Sequence, residues 1–74
     1  MNRKKTVLQE QAAKLSELRD QLGITIKVLA AEMQYSATYV GEWCCGMRPC
    51  DMEAVKYAMK RIVKRRYEEV MKWE

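Results

Sequence analysis

The sequence predicts an all-α protein: one small helix-turn-helix domain of four helices, the last of them long. Three observations carry that prediction. Apolar residues recur at three- and four-residue steps, residues of the helix-capping type (Thr25, Ser36, Asp51) precede three of the resulting stretches, and no segment alternates apolar and polar residues over a useful strand length. With 74 residues, 49% of them hydrophobic and 32% charged, the chain has room for a single domain spanning residues 1–74.

Leu8, Ala12, Leu15, Leu18 or Arg19, and Leu22 form the stripe of a first amphipathic helix over residues 7–22, and Gly23 suits the left-handed position that closes it. Thr25 caps a short second helix, residues 26–33. It carries Val28, Leu29, Ala31 or Glu32, and Met33, with Ala30 small enough for close helix approach. After Gln34-Tyr35, Ser36 caps a third helix from Ala37 to Cys44. Val40, Trp43 and Cys44 share its inner face, while Ala37, Thr38, Gly41, Glu42 and Cys45 turn the other way. Trp43 is expected in the core, where an indole supplies a large share of the buried apolar area of so small a domain. The helix-turn-helix unit spans residues 25–45.

Gly46 and Pro49 mark a loop, and Asp51 caps the fourth helix, residues 51–73, which holds neither Gly nor Pro and repeats Val55, Ala58, Met59, Ile62 and Val63 at core spacing. Some 22 residues at ~1.5 Å each make ~33 Å, more than the ~25–30 Å breadth of a body this size. The end is therefore expected to project. Beyond Arg66 it carries Tyr67, Val70, Met71 and Trp73, either a frayed terminus or one side of a dimer seam; the seam, and with it a homodimer, is the favoured expectation.

Charge is unevenly distributed along the chain. Residues 1–5 hold three cations (Arg3, Lys4, Lys5), expected as a flexible arm, and residues 56–74 hold seven basic against three acidic groups. Residues 6–55 between them hold four basic against seven acidic groups, so attraction to a polyanion must come from the two ends. The run from Lys60 to Arg66 places five cations in seven positions. It is open to three readings: a solvated face, a phosphate contact, or a contact with a partner's acidic patch.

Composition excludes several classes of function. The longest apolar runs, such as Val28-Leu29-Ala30-Ala31, fall far short of the ~20 residues that cross a bilayer. The basic start is followed by mixed residues where a signal peptide needs an apolar block. A cytoplasmic protein is expected. Three cysteines, two of them adjacent, make a closed disulfide framework improbable. Without histidine there is no Ser-His or Cys-His nucleophile, and a zinc site would need thiolates and carboxylates alone. No enzyme activity, metal or cofactor is expected.

Thr25, Leu29-Ala30, Met33, Ser36, Val40, Trp43, Gly46, Arg48 and Pro49 together resemble the pattern of the Cro and repressor (lambda-repressor-like) family of phage-type helix-turn-helix proteins. The resemblance covers residues 25–58. Three positions depart from the pattern: Ile26 stands where a phosphate-bonding Gln is common, Gln34 where the turn usually has Gly, and Cys44 where Glu is common.

The resemblance implies a DNA-binding transcriptional regulator that inserts the helix 36–45 into the major groove, with double-stranded DNA as partner. It places Ala37, Thr38 and Glu42 at the bases, with Tyr39 and Gly41 nearby. It places Thr25, Lys27, Ser36, Tyr39 and Arg48 at the backbone, although Tyr39 can equally flank the turn beside Tyr35. Ala37 suits a thymine methyl, Thr38 either kind of base edge, and Glu42 the N4 of cytosine. None of the common bidentate readers, Arg, Lys, Asn or Gln, stands on this helix. The alternative is a helix-turn-helix scaffold used as a protein-binding module, an antirepressor or an inhibitor of a host complex.

Overall fold

The computed structural model describes residues 3–73, with side chains from residue 7 onward. Four helices follow in order: α1 (Arg3–Leu22), α2 (Ile26–Met33), α3 (Ala37–Cys44) and α4 (Met52–Met71). No strand occurs among the described residues. The four-helix, all-α architecture expected from the sequence is the one observed.

Each of the three expected caps is made. The Thr25 hydroxyl accepts from the Val28 amide at 3.2 Å, the Ser36 hydroxyl from the Tyr39 amide at 3.1 Å, and the Asp51 carboxylate from the amides of Glu53 and Ala54 at 3.1 and 3.3 Å. A cap of this kind is worth ~1 kcal/mol.

The first three helices end alike. After each, a left-handed residue reverses the chain, and two amides return to the last turn: Gly23 to Asp20 and Ile24 to Arg19, Gln34 to Ala31 and Tyr35 to Ala30, Gly46 to Trp43 and Met47 to Glu42. Gly23 and Gly46 adopt this backbone without strain, whereas Gln34 adopts it (φ 62°) with a side chain attached.

Leu15, Leu29, Val40, Val55 and Ala58 are completely buried, with Ile24, Ala30, Trp43, Met59 and Ile62 around them, and no polar side chain is buried with them. Full burial of one such large apolar side chain contributes ~1.5–3 kcal/mol. Packing closes a ring: α1 lies against α3 and α4, and α2 lies against the same two. The α3 backbone, by contrast, does not approach α4. The molecule is 56 Å long against 21 and 17 Å across, and every residue from Val63 to Trp73 is exposed, so the end of α4 does project.

Several sequence expectations are corrected. Ile24, which falls between the expected first and second helices, is a core residue, because the helix-ending turn at Gly23 folds the next side chain back under α1. Leu22 and Val63, both read as core, are each 37% exposed. They flank a groove between the end of α1 and α4 that no fifth element covers. Val28 is similarly exposed on the outer side of α2. Helix α1 starts at Arg3 rather than residue 7, since Arg3, Lys4 and Lys5 are good helix formers with no breaker after them. The cations expected as a flexible arm thus form its first turn, and their side chains lie outside the described residues.

Candidate nucleic-acid interface

Helix α3 is held by its buried side. Val40 and Trp43 enter the core, and three rings spaced four residues apart in the chain cluster on the same flank. Tyr35 and Tyr39 lie 5.0 Å apart between centroids, Tyr39 and Trp43 5.3 Å, and Tyr35 meets Trp43 edge-on at 5.4 Å. Such pairs prefer tilted and edge-to-face geometry because the ring face is negative and the rim positive. Tyr35 remains half exposed despite these contacts.

On the opposite side, Ala37 and Thr38 are exposed on the first turn, and Glu42 is partly exposed one turn later. The three residues placed at the bases are thus outside the core. Ala37 and Thr38 are exposed, so α4 does not cover them, and Glu42 is only partly covered.

Three residues expected in two different roles, Glu42 at the bases and Tyr39 and Arg48 at the backbone, come together. Arg48 donates its Nε–H to Glu42 Oε1 at 2.7 Å, and its guanidinium lies 5.3 Å from the centre of the Tyr39 ring. The hydrogen bond from Glu42, and then its charge, raise the Arg48 pKa above its usual value. Glu42 and Arg48 are therefore partners of each other in the free protein, a pairing between α3 and the following loop that spacing alone did not reveal. The loop is itself anchored: the Gln11 amide exchanges two hydrogen bonds of 3.4 Å with the Cys50 backbone, and Gly46 lies close enough to α1 that a Cβ there would touch Leu8 and Gln9.

Thr25, Lys27 and Ser36 are exposed at the starts of α2 and α3. Each cap side chain occupies one amide of its first turn, and the amides of Ile26, Lys27, Ala37 and Thr38 have no partner inside a helix. Helix starts of this kind attract anions through these N–H groups and the helix dipole. Thr25 and Lys27 border a shallow recess shared with Arg19, Asp20, Gly23 and Ile24. Arg19 donates to the Ile24 carbonyl at 3.3 Å, and its buried Nε finds no partner among the described residues. Sequence reasoning weighed Arg19 only as an alternative to Leu18 on a packing stripe. Its position four residues before Gly23 was the available signal.

The basic run of α4 is put to a use that none of the three readings anticipated. Arg61 and Arg65 both bind the Glu32 carboxylate of α2, the former at 2.8 Å. Arg66 donates to the carbonyls of Leu22 and Gly23 at 2.8 and 3.2 Å, satisfying the open end of α1. Three of the five cations are engaged with their own fold. Lys60 and Lys64 make no ion pair among the described residues. Two arginines on Glu32 lower its pKa below the ordinary 4.5, through their hydrogen bonds first.

At the projecting end, Tyr67, Val70, Met71 and Trp73 are all more than half exposed. Tyr67, Val70 and Met71 share one side of α4, and Trp73 follows the helix end. Cys44, Cys45 and Cys50 are free thiols, and burial pushes the Cys50 pKa up, with Cys44 and Asp51 adding to it. Among the described residues no metal-binding cluster occurs, and no helix is long and apolar enough to cross a membrane.

No protein-family model, curated protein or solved structure matches this chain.

Proposed function

We propose that this chain is a sequence-specific, DNA-binding transcriptional regulator of the Cro and repressor kind found in bacteria, phages and mobile elements, acting in the cytoplasm as a homodimer and without catalysis. Helix α3 enters the major groove, with Ala37, Thr38 and Glu42 at the base edges. The amides at the starts of α2 and α3, with Thr25, Lys27, Ser36, Tyr39 and Arg48, hold the phosphates. Pairing of two projecting α4 ends through Tyr67, Val70, Met71 and Trp73 sets two copies on half-sites about one helical turn apart.

The observation that carries this reading is the placement of α3: its inner side is locked in the core while Ala37 and Thr38 stay exposed. Supporting it, α3 begins at a capped, exposed start, and α2 begins at another. In the complex Glu42 and Arg48 act as a unit: the carboxylate orients the guanidinium, whose remaining N–H groups are left for a phosphate.

The test is recovery of sheared source DNA with the tagged protein, followed by a salt titration on the recovered fragment. Binding through several phosphates predicts a steep loss of affinity with salt. Lys27→Ala and Arg48→Ala should weaken binding alike on all sequences and lower the salt slope by about one each, whereas Thr38→Ala should change which sequence is preferred. Recovery of protein alone refutes the proposal. It would favour the second reading, a protein-binding module such as an antirepressor or an inhibitor of a host complex. One observation supports that reading: α3 carries a carboxylate and no cation of its own, and three arginines of α4 are committed to internal contacts.

A further inference from the structure

A second surface lies away from α2 and α3. Leu18 and Leu22 of α1 and Met59, Val63 and Tyr67 of α4 line an open groove of about 540 Å³, a volume within the ~300–1,000 Å³ common for ligand sites. Its rim holds Lys56, Lys60 and Lys64, one lysine per turn along α4, and no acidic residue lines it. The contrast with the rest of α4 is informative. Arg61, Arg65 and Arg66 point to acceptors of the protein's own body, while the three lysines make no ion pair among the described residues.

We propose that this groove receives an amphipathic helix of another protein, bearing an apolar stripe on one side and acidic residues along its edge. The apolar floor matches anchors spaced by one helical turn, the usual way a helix lies in a groove. The lysine row selects for carboxylates at the rim, where charge complementarity governs the choice of partner. A second copy of this chain fits poorly. Two α4 helices crossing antiparallel over the groove would set each lysine row against the other, and like charges so placed disfavour the pairing. The projecting tip has no such excess, since Glu68 and Glu69 stand there beside Lys72. Apart from Tyr67, which stands at the boundary of the two surfaces, the groove and the tip thus take different occupants.

The experiment uses the full chain and a fluorescent synthetic helical peptide of about 18 residues, with leucines at i, i+3, i+7 and i+10 and glutamates on the flanking positions. A control peptide carries lysines in place of the glutamates. By anisotropy the acidic peptide should bind saturably and the lysine control about tenfold more weakly or worse. Lys60→Glu combined with Lys64→Glu should reverse that preference, and Val63→Asp should abolish both. All these side chains are exposed or partly so, and circular dichroism verifies that each variant is folded. Absence of saturable binding, equal binding of the two peptides, or indifference to the lysine reversal would overturn the proposal. So would a dimer that dissociates in the Val63→Asp variant and resists the peptide, which assigns the groove to a second copy. No DNA enters the readout, so the outcome is independent of the DNA-binding proposal.

Discussion

Gln34 sits at φ 62°, in the same left-handed position that Gly23 and Gly46 hold after their own helices. A side chain there costs ~1 kcal/mol or more through the clash of Cβ with the backbone. Gln34 is exposed, and no side-chain hydrogen bond from it is present to offset that cost. Gln34→Gly should therefore stabilise the domain by roughly 0.5–1 kcal/mol, a rise of a few degrees in Tm for a chain of this size. Thermal denaturation followed by circular dichroism measures it, and a fall in Tm would show that Gln34 makes a compensating contact. The position was legible in the sequence, because Gln34 stands in a helix-turn-helix turn, where Gly is usual. Ile24 was not: nothing in a turn sequence distinguishes an apolar residue that folds under the preceding helix from one that stays in solvent.

Among the elements, the clasp between α2 and α4 is the clearest case of an interaction that local patterning cannot show. Glu32 and Arg61 are 29 residues apart, and Glu32 and Arg65 are 33. The run of cations on α4 read as one electrostatic feature, yet the helix turns successive residues toward different neighbours, and Glu32 and the end of α1 capture three of them. The sign of the resulting pH dependence follows from the Glu32 pKa, which is lower in the folded chain than the ordinary 4.5. The stabilisation is complete above the unfolded value and is lost as pH falls through the lower, folded value. Glu32→Gln should thus lower stability at neutral pH and flatten the decline in Tm below pH 4.5. Melting curves from neutral pH down to about 3 check this. A decline as steep as in the parent protein would place the acid-sensitive group elsewhere.

At the scale of the whole molecule, the 20 residues of α4 span ~30 Å, more than the 21 and 17 Å breadth of the molecule, so the helix outruns the small core. The last buried residue is Ile62, and the eleven described residues that follow add exposed surface rather than core. Removing the chain after Arg66 should leave the fold intact, because every core residue and the Arg66 contacts to α1 are retained. Under the proposed dimer it should also yield a monomer, as read by sedimentation velocity. A dimer unchanged by the truncation would exclude the seam at Tyr67, Val70, Met71 and Trp73.

The order and approximate bounds of the four helices, the three caps, and the outward setting of Ala37, Thr38 and Glu42 were determined by the sequence alone. Capping and helical periodicity depend on residues within a few positions of each other, and those are written next to one another in the chain. The pairing of Glu42 with Arg48, the capture of the α4 arginines and the open groove beside Val63 were decided only by the tertiary structure. They depend on which helices come together and where one of them runs out of neighbours, and that is a property of the packed core rather than of any one segment.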